Sequence, residues 1–223
     1  MRDIRAVIFD MDGLLLDSET VALSTFVKAC HESDFDPDVE VYYRCIGGNE
    51  VRTKRILTEG YGPRFPFDKI NRRWHALYED LAATSAFPVK AGAVELLELL
   101  DARHIRKAVV TSTRRESATR KVTNAGLLSH FEFILGGDDI QRSKPDPEIY
   151  VKACARLAEA PRDCLALEDS DNGVMSASSA GLRVIQVPDM LQPSPEVRAL
   201  GHATLPSLLE VVELLRNGAK NED

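Results

Sequence analysis

Short apolar runs alternate with polar, helix-like segments along this chain. Ile4–Phe9, Ala108–Thr111, Phe133–Leu135, Cys164–Leu167 and Val184–Val187 are apolar over most of their length and do not alternate. Such runs predict strands buried on both faces, as in a parallel sheet. Leu96, Leu97, Leu99 and Leu100 form one helical apolar face, and Ile149, Ala153 and Leu157 another. Ser207 and Glu210 stand at capping-box spacing ahead of Leu208, Val212 and Leu215. The alternation predicts an α/β fold, a Rossmann-like parallel sheet with helices on both faces.

One interval departs from this rhythm. The first strand ends near Asp10 and the next starts near Lys107. A crossover with its helix needs far fewer residues. The surplus has helical spacing: Leu23, Phe26, Val27 and Cys30 in one stretch, then Ile70, Trp74, Leu77, Tyr78 and Leu81 beyond the breaker "GYGPRFPF". The expected organisation is an α/β core of residues 1–16 and 87–223, with a helical domain of residues 17–86 inserted in it. Trp74, Leu77 and Tyr78 are read as the core of that insertion, and Arg52 to Arg55 as a solvated helix face.

Composition narrows the function. A net charge of −7 argues against a nucleic-acid partner. No apolar run has the length of a membrane span, and none resembles a signal peptide. The four cysteines form no CxxC pair, so free thiols and a cytoplasmic location are expected. The five histidines are dispersed, which disfavours a histidine-built metal site. A monomer is expected.

In open α/β sheets, ligands bind beyond the carboxyl ends of the strands. Asp10 and Asp12 follow the first strand, Ser112 and Thr113 the second, Asp138, Asp139 and "RSKPDP" with Lys144 the third, and Glu168, Asp169 and Ser170 the fourth. Two carboxylates about 5 Å apart repel by roughly 3 kcal/mol at an effective dielectric near 20. A hard divalent cation with oxygen ligands, Mg²⁺ over Zn²⁺, would offset that repulsion. Lys144 adds one positive charge. Hydroxyls and the backbone near Gly13 could hold phosphoryl oxygens. Such an edge suits phosphoryl transfer.

"DMDG", "TST", "SKPDP" and "LEDSDNG" together resemble the four signature motifs of the haloacid dehalogenase superfamily, in order and along the whole chain. The resemblance is strongest to the subgroup of β-phosphoglucomutase and phosphoglycolate phosphatase, whose helical cap follows the first motif. It implies Asp10 as the nucleophile and Asp12 as general acid, then base. It implies Gly13, Ser112, Thr113 and Lys144 around the phosphoryl group. Mg²⁺ would be held by Asp10, Asp12 (through its carbonyl), Glu168 and Asp169. "LLLDSE" would be the hinge leading into the cap. Arg44, Asn49, Arg52 and Arg115 are candidate substrate-selecting residues; Arg114, which follows Ser112 with Arg115, could read the far end of the substrate or lie at the surface.

The implied activity is hydrolysis of a small phosphorylated metabolite, a sugar phosphate or a phosphoglycolate-like ester. The first alternative is a sugar-phosphate mutase. β-Phosphoglucomutase has a histidine where this chain has Ala22 and an arginine where it has Asn49, and both departures favour hydrolysis. A dehalogenase would lack Asp12. A phospho-accepting signalling module would be shorter, lack the helical insertion and leave Asp12 unexplained. A nucleotide-binding dehydrogenase would need GxGxxG where the chain has "DMDGLL".

Overall fold

The computed structural model describes residues 4–46 and 50–220. The chain divides into two compact units, one of Met1–Asp17 with Pro88–Asp223 and the other of Ser18–Phe87.

The first unit is built on a six-stranded, wholly parallel sheet in the order β3-β2-β1-β4-β5-β6. The strands are β1 (Ala6–Phe9), β2 (Arg106–Val110), β3 (Phe133–Leu135), β4 (Cys164–Glu168), β5 (Arg183–Gln186) and β6 (Ala203–Thr204). β1 is central, with Ile8 opposite Ala108 of β2 and Ala166 of β4. All four β1 residues are buried, as are all five of β4, which accounts for their unbroken apolar character. β6 escapes the sequence pattern: it has two exposed residues and no apolar run.

Around the sheet lie α5 (Ala93–Ala102), α6 (Arg115–Asn124), α7 (Glu148–Leu157), α8 (Asp171–Ser179), α9 (Pro195–Arg198) and α10 (Leu208–Lys220). One core layer joins Ile149, Tyr150, Ala153 and Leu157 of α7 to Ile8, Ala108, Val110 and Ala166 of the sheet. α10 packs on α5. Ser207 accepts from the Leu209 N–H at 3.2 Å and its hydroxyl contacts Glu210, so the expected helix start is built from the expected pair.

The second unit is helical: α1 (Ser18–His31), α2 (Val39–Tyr43), α3 (Glu50–Tyr61) and α4 (Phe67–Thr84). Its core gathers Phe26, Cys30, Tyr42, Leu57, Phe65, Ile70 and Leu77, with Trp74 packed alongside. The Trp74 indole N–H donates to the Ala22 carbonyl at 2.9 Å, tying α4 to α1. Leu81, expected on the same stripe, is 36% exposed. Among the described residues, no helix is long and apolar enough to cross a membrane.

Candidate active site

β1 hands its sheet pairing on to Asp10, whose N–H donates to the Leu167 carbonyl at 3.0 Å. Asp10 is therefore fixed by the sheet itself at the carboxyl end of the central strand. The chain then turns tightly. The Leu15 and Leu16 N–H groups both donate to the Met11 carbonyl, and the Gly13 N–H to the Leu16 carbonyl. Met11 and Leu14 to Leu16 are fully buried, which anchors the turn. Leu16 bridges to Val89, and Asp17 N–H donates to the Pro88 carbonyl, so the two chain passages between the units pair with each other.

Gly13 has φ of +84°, a conformation L side chains rarely adopt. A Cβ there would lie 2.5 Å from Asp169 Oδ2 and 3.3 Å from Asp189 Oδ2. The glycine thus lets the turn approach the carboxylates that follow β4 and β5. Glu168 and Asp169 are set by β4 and by the start of α8, where Ser170 accepts from the Gly173 N–H at 3.2 Å. A Cβ on Gly173 would fall 1.9 Å from Glu168 Oε2, so only glycine fits beneath that carboxylate.

The central contact is Lys144. Its Nζ lies 2.6 Å from Asp10 Oδ1 and 2.6 Å from Glu168 Oε1. All three side chains are nearly inaccessible, at 6%, 10% and 0% exposed respectively. The Tyr150 hydroxyl donates to Glu168 Oε1 at 2.6 Å, and the Ser170 hydroxyl to Oε2 at 3.4 Å. Burial pushes the Asp10 carboxyl up to about 8; Lys144 opposes that rise and Glu168 adds to it. Burial alone would lower Lys144, but Asp10 and Glu168 outweigh it and raise its affinity for the proton.

Asp10, Glu168 and Asp169 each offer a ligand oxygen, all within 4.8 Å of one another. At that distance two full charges repel by about 3.5 kcal/mol at an effective dielectric of 20. Lys144 neutralises one charge of the set. The donors are hard oxygens only, a set that suits Mg²⁺. Asp189 Oδ2 is buried with no hydrogen-bond partner among the described residues, on the same side of Gly13 as Asp169 Oδ2. The cluster therefore fits an oxygen-ligated divalent cation.

The Asp12 carboxylate is turned toward the segment after β2. Oδ2 accepts from the Thr113 hydroxyl at 2.7 Å and from the Thr111 hydroxyl at 3.3 Å. Oδ1 lies 3.1 Å from Lys121 Nζ. Ser112 is exposed, whereas Thr111 before it is 1% exposed. Arg115 donates its N–H to Asp138 Oδ1 at 2.7 Å and pairs with Asp139 through a guanidinium 58% exposed. Arg114 is likewise exposed and sits 4.0 Å from Asp138. Arg44 and Arg52 are exposed on the helical unit. Asn49 lies outside the described residues.

Thr111, Lys121 and Tyr150 are site neighbours that the sequence reading did not single out. Thr111 ends the run "KAVVT" and could have been found as its terminal hydroxyl. Tyr150 looks like a helix-core aromatic. Lys121 looks like a solvated charge in "RRESATRK".

The Lys144 contacts carry a stability prediction. Removing one partner of a buried charge network costs about 3–5 kcal/mol, because the remaining charges stay desolvated. Lys144→Met should therefore destabilise the metal-free chain by about that much in a urea titration. A loss under about 0.5 kcal/mol, the range of ordinary surface substitutions, would show that the ammonium is not holding the carboxylates together.

Residues 7–187 match the haloacid dehalogenase-like hydrolase family. A phosphorylated carbohydrates phosphatase of Thermotoga maritima is 28% identical over 96% of this chain and 99% of its own. A phosphoglycolate phosphatase of Nitrosospira multiformis is 31% identical over 97% of each chain. The crystal structure of a candidate β-phosphoglucomutase from Thermotoga maritima superposes with a TM-score of 0.80 at 27% identity, covering 96% of this chain and 99% of that one. Matched along most of its length, with an acidic cluster at the carboxyl edge of a parallel sheet, the chain belongs to the haloacid dehalogenase-like hydrolase family.

Proposed function

We propose that the chain is a Mg²⁺-dependent phosphatase that hydrolyses a small phosphorylated metabolite through a phosphoaspartate on Asp10. The observation that carries this reading is the buried Asp10 carboxylate, bridged by Lys144 to Glu168 and grouped with Asp169. The relatives named as phosphatases of phosphorylated carbohydrates and of phosphoglycolate support the substrate class.

In the proposed cycle an Asp10 oxygen attacks phosphorus and the ester P–O bond breaks. Asp12 gives its proton to the departing oxygen. Asp12 then takes a proton from water, the water oxygen attacks the phosphoaspartate, and phosphate leaves as Asp10 is restored. Lys144 and the Ser112 hydroxyl hold the phosphoryl oxygens, with the backbone at Gly13 and Thr113 close by. Asp10, Glu168, Asp169 and the Asp12 carbonyl would hold Mg²⁺, which supplies charge neutralisation for the phosphoryl group. The helical unit corresponds to the cap of the family it resembles, and capped members of that kind suit small, soluble esters.

The mutase reading is disfavoured by Ala22. Its methyl group offers neither donor nor acceptor, and its carbonyl is taken by Trp74. A panel of phosphorylated metabolites assayed for inorganic phosphate with and without Mg²⁺ tests the proposal. Metal-dependent phosphate release from at least one sugar phosphate or from phosphoglycolate is expected. Given glucose 1-phosphate and glucose 6-phosphate, the enzyme should release phosphate or leave them unchanged. Efficient interconversion of the two without phosphate release would make it a mutase.

A further inference from the structure

Lys121 is 3% exposed, a rare place for a lysine, and its ammonium faces Asp12 Oδ1. The buried residues of α6 are Ala118, Lys121 and Val122, so the lysine stands where a core residue would. A buried ion pair of this kind seldom stabilises a fold more than an apolar residue of similar size would. The other Asp12 oxygen is held differently. Oδ2 meets the hydroxyls of Thr113 and Thr111, and the Thr113 N–H donates back to Thr111 Oγ1 at 3.0 Å. A single segment, residues 111–121, thus supplies partners to both oxygens.

The two sets of partners are not equivalent. An ammonium can only donate, whereas a hydroxyl can donate or accept by rotating. An oxygen facing Lys121 is a poor place for a proton, and an oxygen facing hydroxyls can carry one. We infer that Lys121 is a positioning residue: it anchors Oδ1 of Asp12, so that Oδ2 is the oxygen presented for proton exchange. This inference rests on the proposed role of Asp12. In the first step the Oδ2–H bond breaks as the proton passes to the ester oxygen and the P–O bond opens. In the second, a proton of the attacking water returns to Oδ2.

The test uses leaving-group dependence, which a purely structural role would not produce. The intact enzyme with Mg²⁺ is assayed for kcat/KM on p-nitrophenyl phosphate and on the alkyl ester from the metabolite panel that it hydrolyses fastest. The aryl oxygen departs with little protonation; the alkyl oxygen needs a well-placed acid. Lys121→Met should lower kcat/KM on the alkyl ester by about 10–100-fold and on the aryl ester by under about 3-fold. Lys121→Gln, which keeps a donor of similar reach without the charge, should lower it selectively in the same direction and serves if Lys121→Met does not fold. Asp12→Asn on the same pair separates the two failures. If Asp12→Asn discriminates between the esters and neither other variant does, the inference on Lys121 is wrong. If Asp12→Asn does not discriminate, or the wild type hydrolyses neither ester, the reading of Asp12 fails and the inference falls with it.

Discussion

Asp10→Asn is expected to leave the chain folded and to reduce turnover by at least about 10⁴-fold, the scale seen when a covalent nucleophile is removed. An amide oxygen is a poor nucleophile toward phosphorus, and the carboxylate it replaces is the one that Lys144 meets at the end of β1. The fold should tolerate the change because the amide is nearly isosteric and the sheet positions this residue through its backbone. Stability adds a signed expectation. Asp10 holds its proton more tightly in the folded chain, up to about 8, than at its ordinary 3.8. The folded state thus binds more protons between those values, and metal-free stability declines as pH rises through that window. Asparagine cannot ionise, so the variant should lose part of that decline and melt no lower than wild type near pH 8. Thermal melts across pH, with single-turnover phosphate release, make the measurement. Turnover within tenfold of wild type would remove Asp10 from the chemistry.

Withdrawal of the divalent cation should have an effect of comparable size. A chelator is expected to abolish phosphate release and added Mg²⁺ to restore it. The reason is the grouping of the Asp10, Glu168 and Asp169 oxygens, which Lys144 compensates by only one charge. A phosphate ester would bring further negative charge to the same edge, so without a cation its approach opposes the local field. Asp169→Ala should raise the Mg²⁺ concentration needed for half-maximal activity by at least about 10-fold, while leaving the β4 backbone and the Lys144 contacts in place. Isothermal titration with Mg²⁺ alone reads the same change without substrate. Undiminished activity in chelator, or an unchanged Mg²⁺ requirement in Asp169→Ala, would assign the cluster another purpose.

Much of this protein is legible in its sequence because burial on both faces leaves a plain mark. β1 and β4 are unbroken apolar runs, and the carboxylates that end them interrupt those runs abruptly. The motif spacing then assigns Asp10, Asp12, Lys144, Glu168 and Asp169 to one edge, since a parallel sheet brings the carboxyl ends of its strands together. β6 was not legible: a two-residue exposed strand needs only β5 beside it, and its composition carries no signal. α6 and α8 bury few apolar side chains, and so lack a strong helical stripe.

The sequence by itself determined five of the six strands, the order of the acidic motifs and the family to which they belong. Only the tertiary structure decided which oxygen each donor meets. Lys121 and Lys144 are alike in a sequence, two cations in polar stretches. Packing buries both, aiming one at Asp12 and the other between Asp10 and Glu168. Ser112 and Thr111 are adjacent hydroxyls, yet the pleat at the end of β2 exposes the first and turns the second toward Asp12. A side chain's charge and hydrogen-bonding capacity are local properties. Its partner and its dielectric surroundings are set by residues a hundred positions away, which the fold alone brings near.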